Sequence, residues 1–232
     1  MSPDIIDTFI QNELFWFIIL SIYAIAITMG TKKTYEFMKK RGVKDNVAVY
    51  YNRKLIHMFA GGVVVLIVPF VFTSPWYPLL AGLVLTVLTY IPHATGNILY
   101  WFQTKDNIND VNFCLMWALT VFILWIVLGN PWIAIIPPVF MAFGDGVTGI
   151  VRNAVFKKRT KNPIGNVFML IVCIFFGYVL ADQVGLAWWG VIAAFVASFV
   201  ERYEFGPIDD NVLITVSAAI ILFIGSQSSP LF

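Results

Sequence analysis

The chain has 232 residues, 59% of them hydrophobic and only 12% charged, against about 25% charged in soluble domains. Its net charge of +2 conceals a segregation, because all 15 Lys and Arg fall in the gaps on one side of a series of apolar stretches. That pattern excludes a soluble globular protein and gives no footing for a nucleic-acid partner.

An acidic head (Asp4, Asp7, Glu13) precedes the first apolar stretch, Leu14 to Gly30. This stretch lacks a small-residue cleavage site and reads as a retained helix, not a signal peptide. A helix needs about 20 mainly apolar residues to cross the hydrocarbon core. Further candidates follow at Leu55 to Phe72, Trp76 to Ile91, Val111 to Leu128, Pro131 to Ile150, Asn166 to Ala181, Leu186 to Val200 and Ile208 to Gly225. The expected fold is all-α: a polytopic bundle of about eight transmembrane helices. The chain, residues 1–232, reads as a single integral membrane domain.

Lys32, Lys33, Lys39, Lys40, Arg41, Lys44, Arg53 and Lys54 occupy the first gap on the basic side. Lys105 follows, then Arg152, Lys157, Lys158, Arg159 and Lys161, and finally Arg202. Because Lys and Arg mark cytoplasmic loops, this side is assigned to the cytoplasm and both termini to the opposite side. The membrane is a prokaryotic plasma membrane or the endoplasmic reticulum. The basic run from Lys32 to Lys44 is expected to anchor on anionic lipid headgroups, on a cytoplasmic extension of the first helix that stops at Gly42. External connections are tight turns, at 73–75, 129–131 and 182–185. Trp76, Tyr77, Tyr100, Trp101, Trp132, Trp188 and Trp189 lie near predicted helix ends, as an interfacial belt requires. Pro137 and Pro138 should kink the fifth span, leaving a half-helix from Val139 towards the cytoplasm. Cys114 and Cys173 read as core residues. Asn107, Asn109, Asp110 and His93 read as solvated or capping side chains.

Polar residues gather in four places, built from segments 50–61, 143–166 and 201–211. In Arg53-Lys54-x-x-His57-x-x-x-Gly61, residues 53, 57 and 61 share one helix face; a cation and an imidazole over a small residue suit a phosphate. Gly144-Asp145-Gly146-Val147-Thr148-Gly149, ending at Arg152, matches G-x-G-x-x-G in form, but a membrane span precedes it where the dinucleotide fingerprint needs a strand. Three glycines around a carboxylate at a helix end would let the backbone approach a ligand and present Asp145, with Thr148 as an extra ligand. In the third place, Lys161 stands before Pro163 and Gly165 where the chain re-enters the membrane. If Asn166 caps the sixth helix, the free N–H groups there favour an anion. The fourth is Glu201-x-x-Glu204 followed by Pro207-Ile208-Asp209-Asp210-Asn211; carboxylates with an amide match the oxygen ligands preferred by Mg²⁺, while Asp209 or Asp210 equally suits a helix cap.

Carboxylates for a metal and converging cations describe a polyphosphate site on one face. A nucleotide would come from the cytoplasm and an acceptor hydroxyl from a lipid lying in the bilayer. Asp145 would hold the metal or accept the hydroxyl proton. Asp209, Asp210 and Asn211 would complete the metal set. Arg53, Lys54, His57, Gly144, Gly146, Lys161, Gly165 and Asn166 would surround the nucleotide, with His57 and Asp145 at the reaction centre.

At these positions the chain resembles the polyprenol kinase family, which includes dolichol kinase, phytol kinase and the CTP-dependent diacylglycerol kinases. The likeness rests on Arg53-Lys54-x-x-His57-x-x-x-Gly61, Phe143-Gly144-Asp145, Lys161 to Gly165, and Glu201 with Asp209-Asp210-Asn211, over roughly residues 50 to 215. It implies CTP as phosphoryl donor, Mg²⁺ or another divalent cation, and a long-chain isoprenoid alcohol as acceptor. The chain departs from the family at Ile164-Gly165-Asn166, where Glu-Gly-Ser is usual, and at Thr148 and Arg152, where small residues are usual. A CTP-dependent cytidylyltransferase, a CDP-alcohol phosphotransferase and a lipid or small-molecule carrier are the competing expectations, and a homo-oligomeric state is left open.

Overall fold

The computed structural model describes residues 12–158 and 160–228; Asp4 and Asp7 of the acidic head and Arg159 of the basic run lie outside the described residues. The chain forms helices α1 (Glu13–Lys40), α2 (Asp45–Val71), α3 (Trp76–Thr95), α4 (Asn109–Leu128), α5 (Pro131–Phe156), α6 (Pro163–Asp182), α7 (Ala187–Val200) and α8 (Asp210–Gln227). Seven of these are long and apolar enough to cross a membrane. The protein is therefore an integral, multi-pass helical bundle. The eighth, α7, has 14 residues, a rise of about 21 Å. It still runs the depth of the bundle as an antiparallel partner of α6: Asn166 bonds the Ser198 carbonyl at one end, and Gly177 packs on Gly190 towards the other. A Cβ at Gly190 would lie 2.0 Å from the Gly177 carbonyl oxygen, so the two backbones meet only because that position is glycine.

Local chemistry sets the helix ends. Asn12 caps α1 by accepting from Leu14 N at 3.0 Å. The helix runs on past its apolar part to Lys40, and the chain turns at Gly42 with φ of +77°, as the sequence suggests. Asn130 caps α5 ahead of Pro131. Two boundaries differ from the hydropathy reading. Helix α2 starts at Asp45, ten residues before its apolar core at Leu55, because its first turns bury Val47, Ala48, Val49 and Asn52 inside the bundle. Helix α6 starts at Pro163 with Asn162 as cap, its side chain accepting from Ile164 N at 3.0 Å. Asn166 is thus not a cap but lies inside the first turn.

Helix α5 is the axis of the fold. Its most apolar window is 83% buried, against 11% for α3, so α5 is wrapped by protein and α3 faces lipid. The expected interruption appears in α5 as a break at Ile135 before the two prolines, then a π-helical turn over Phe140–Gly144. A second π-helical turn spans His57–Gly62 in α2. Such turns widen the hydrogen-bond ring and leave carbonyls without their α-helical partner; Trp117 Nε1 donates to the Gly61 carbonyl at 3.2 Å. Trp101 is buried within the protein and donates to the Thr28 carbonyl of α1.

Candidate active site

The polar site lies at the end of the bundle whose connections carry the Lys and Arg. Asp145, which closes the π turn of α5, is 1% exposed. Its Oδ2 accepts from Lys54 Nζ of α2 at 2.5 Å, and the Thr148 hydroxyl lies 3.0 Å from its Oδ1. Thr148 is thus a support for Asp145. The stem of Lys54 reaches Asp145 across Gly149, where a Cβ would meet Lys54 Cε at 2.4 Å; that glycine makes room for the lysine. Tyr50, one turn before Lys54, lays its ring 5.3 Å from Lys54 Nζ. The (i, i+4) spacing on an amphipathic helix was the signal for it in the sequence.

Beside this pair stands a second charged group. Arg152 grips Glu201 with both terminal nitrogens, at 2.7 and 2.8 Å. It also donates to the Asn162 carbonyl and to Asn166 Oδ1. Asn166 returns its amide to Glu201 Oε2 at 2.9 Å. Lys161 donates to Asp210 Oδ2 at 2.6 Å and to the Glu201 carbonyl at 2.8 Å, and lies 3.2 Å from Glu204. Burial works against the Lys161 ammonium, but Asp210 and Glu201 more than offset it and hold its pKa above the ordinary lysine value. Carboxylate oxygens of Asp145, Glu201 and Asp210 lie within 4.8 Å of one another. Three acids from α5, the α7 end and α8 are thus matched by three cations, Lys54, Arg152 and Lys161.

These hard oxygen donors fit a divalent cation, though in a set different from the expected one. Asp209 is not among them: its Oδ1 caps α8 by accepting from Val212 N, and its Oδ2 takes the Asn211 amide. Burial, and then the Asp210 carboxylate, push Asp209 up to about 6. Asn211 also donates to the Asn109 carbonyl, and its buried Oδ1 has no partner among the described residues. Glu201 stands with Asp145 and Asp210 where Asp209 and Asn211 were expected.

His57 sits where the charged group meets an apolar cavity. It is 3% exposed, its ring stacks on Phe113 at 3.8 Å between centroids, and its Nδ1 lies 4.0 Å from Asp145 Oδ2. Neither ring nitrogen has a hydrogen-bond partner among the described residues. The cavity, of about 220 Å³, runs between α1, α2, α3 and α4. Arg53, His57 and Gly61 do share one face, and that face lines the cavity, not a phosphate site. Arg53 is committed to the loop before α4, donating to the Phe102 carbonyl, Asn107 Oδ1 and Thr104 Oγ1. The expected backbone approach at Gly144, Gly146 and Gly165 is also taken by protein: they face Cys173, Met58 and Arg152. Asp110 and His93 are no solvated pair. Asp110 is buried, accepts from Gln103 Nε2 at 2.5 Å and lies 3.1 Å from His93 Nε2. This network holds the 99–109 loop against α3 and lines the basic end of the cavity.

No protein-family model, curated protein or solved structure matches the chain.

Proposed function

We propose that this protein is a membrane-embedded phosphotransferase that moves a phosphoryl group from a nucleoside triphosphate to the hydroxyl of a lipid alcohol. His57 is the observation that carries the proposal: a buried imidazole with both nitrogens unpartnered, at the junction of an apolar cavity and a carboxylate–cation cluster. A lipid tail fits the cavity chemistry, and its hydroxyl would then lie beside His57 and Asp145. Lys54 and Lys161, paired with Asp145 and Asp210, would turn to triphosphate oxygens as a divalent cation takes up those carboxylates. The basic connections make this end the cytoplasmic one, where nucleotide is found; CTP and an isoprenoid acceptor are what the family resemblance adds.

In the reaction the acceptor oxygen attacks the γ-phosphorus. The bond from that phosphorus to the bridging oxygen breaks, and the diphosphate leaves. The hydroxyl proton passes to His57 Nδ1, or to Asp145 if Lys54 has moved onto phosphate. Mg²⁺ or another divalent cation, held by Asp145, Glu201 and Asp210, would neutralise phosphate charge. Arg152 and Asn166 keep Glu201 in place, and Arg53 fixes the loop that closes the cavity end.

The test incubates purified protein with a divalent cation, lipid alcohols, and CTP or ATP labelled in the α or γ phosphate. The expected result is γ label in the lipid product, lost in Asp145→Asn while that variant stays folded. Transfer of α label instead would establish a cytidylyltransferase. Retention of lipid with no label transferred from either nucleotide would establish a carrier and overturn the proposal.

A further inference from the structure

Resting on the lipid-alcohol reading, we infer that the cavity is a blind slot for a single hydrocarbon chain and that its aromatic floor sets the length of chain accepted. The far end of the cavity is closed by Phe17 of α1, Phe72 after α2 and Tyr77 of α3. Tyr77 stands 5.4 Å from Phe17 and 6.2 Å from Phe72 between ring centroids. Beneath them, Glu13 Oε1 accepts from Thr73 N at 2.6 Å and ties the start of α1 to the α2–α3 turn. Among the described residues, these rings and that tie form the floor of the slot.

The opposite end is polar, with Arg53, His57 and Asp110 in the lining. Between the two ends the walls are apolar. Ile25 and Met29 of α1 and Leu88 of α3 line the cavity yet are exposed on the outside of the bundle. The side opening between α1 and α3 therefore lies in the half nearer His57. A lipid entering there meets His57 with its hydroxyl, and its chain has one direction to run, towards the floor.

Depth follows from helix rise. From Phe17 to Met29 on α1, and again from Tyr77 to Thr89 on α3, twelve residues separate the floor from the polar end, about 18 Å at about 1.5 Å per residue. An extended chain advances about 1.2 Å per bond, the projection implied by about 3.5 Å per three-bond residue. The slot thus takes about fifteen carbons, close to four isoprene units. Longer polyprenols and lipids with two acyl chains exceed it.

The experiment gives purified protein a series of single-chain alcohols of increasing length. It measures both retention of labelled alcohol and transfer of γ label from the nucleotide. Wild type is expected to show an optimum near fifteen carbons in both readouts. Ala81→Phe, which fills the slot one turn above Tyr77, should move the optimum down by about four carbons, one turn of about 5.4 Å at about 1.2 Å per bond. Tyr77→Ala should move it up, and the opposite directions separate a ruler from general damage. Should Tyr77→Ala fail to fold, Ala81→Phe alone decides the matter. Label transfer without length preference, or an optimum unmoved in the folded variants, overturns the ruler and leaves the kinase reading intact. A length optimum in retention with no transfer supports the slot and removes the kinase reading. No retention at any length overturns the slot.

Discussion

Replacing Lys54 by Met tests whether the centre of the site is an obligate buried ion pair. The Lys54 and Asp145 side chains keep only 5% and 2% of their exposure and meet at 2.5 Å. Met preserves the volume of the stem that passes Gly149 and removes only the charge. Asp145 is then left as a buried anion with the Thr148 hydroxyl as its remaining side-chain partner. Breaking a buried pair from one side costs about 3–5 kcal/mol, whereas replacing both partners by apolar groups is close to neutral. Lys54→Met and Asp145→Leu should each lose about 3–5 kcal/mol, and the double variant should return to within about 1 kcal/mol of wild type. Unfolding equilibria in mixed detergent micelles measure all four corners of the cycle. A double variant that loses the sum, about 6–10 kcal/mol, would show that the two residues act independently. A single-variant loss under about 1 kcal/mol would show that water reaches the pair.

His57→Phe should keep the stack on Phe113 and fold normally, while phosphoryl transfer falls by about 10²–10⁴-fold; unchanged transfer would remove His57 from the reaction. Arg152→Lys cannot grip Glu201 with two parallel bonds and should cost about 3 kcal/mol, read by the same unfolding equilibria; a neutral result would mean Asn166 and Lys161 suffice to hold Glu201. Asp209 takes up its proton at about 6 when folded and near 3.8 otherwise. The folded state therefore binds more protons between these values. Its contribution to stability is largest below pH 3.8, falls as pH rises, and is gone above about 6. Asp209→Asn should remove that slope, about 3 kcal/mol at most at about 1.4 kcal/mol per unit. Equal pH profiles for the two proteins would contradict the assignment.

Much of this arrangement is legible in the sequence because hydropathy and charge report depth in a membrane directly. The eight helices, the terse turns and the one-sided cations are written in composition. Asp145, Lys161, Glu201 and Asp210 could be singled out because a charge at a membrane mouth needs a partner. What hydropathy does not carry is rotation about the helix axis and pairing at long range. Arg53 and Lys54 are neighbours, yet one faces the 99–109 loop and the other Asp145, 91 residues away. Arg152 looked like a departure from a pattern and is the residue that organises Glu201. Asn166 looked like a cap because the apolar run begins there, whereas Pro163 had already started the helix.

The two π-helical turns fix the angular phase of the helices they interrupt. His57 opens one and Asp145 immediately follows the other, so the pair faces each other across two irregularities. Each takes up about one extra residue, so rewinding either as regular α-helix at the same chain length would swing everything beyond by about 100°. Helices, loops and hydropathy profile would look unchanged, and the imidazole and the carboxylate would point apart. Glycines let the neighbours close over both widened turns: a Cβ at Gly61, Gly62 or Gly144 would stand 2.5–2.6 Å from Phe113, Phe143 or Cys173.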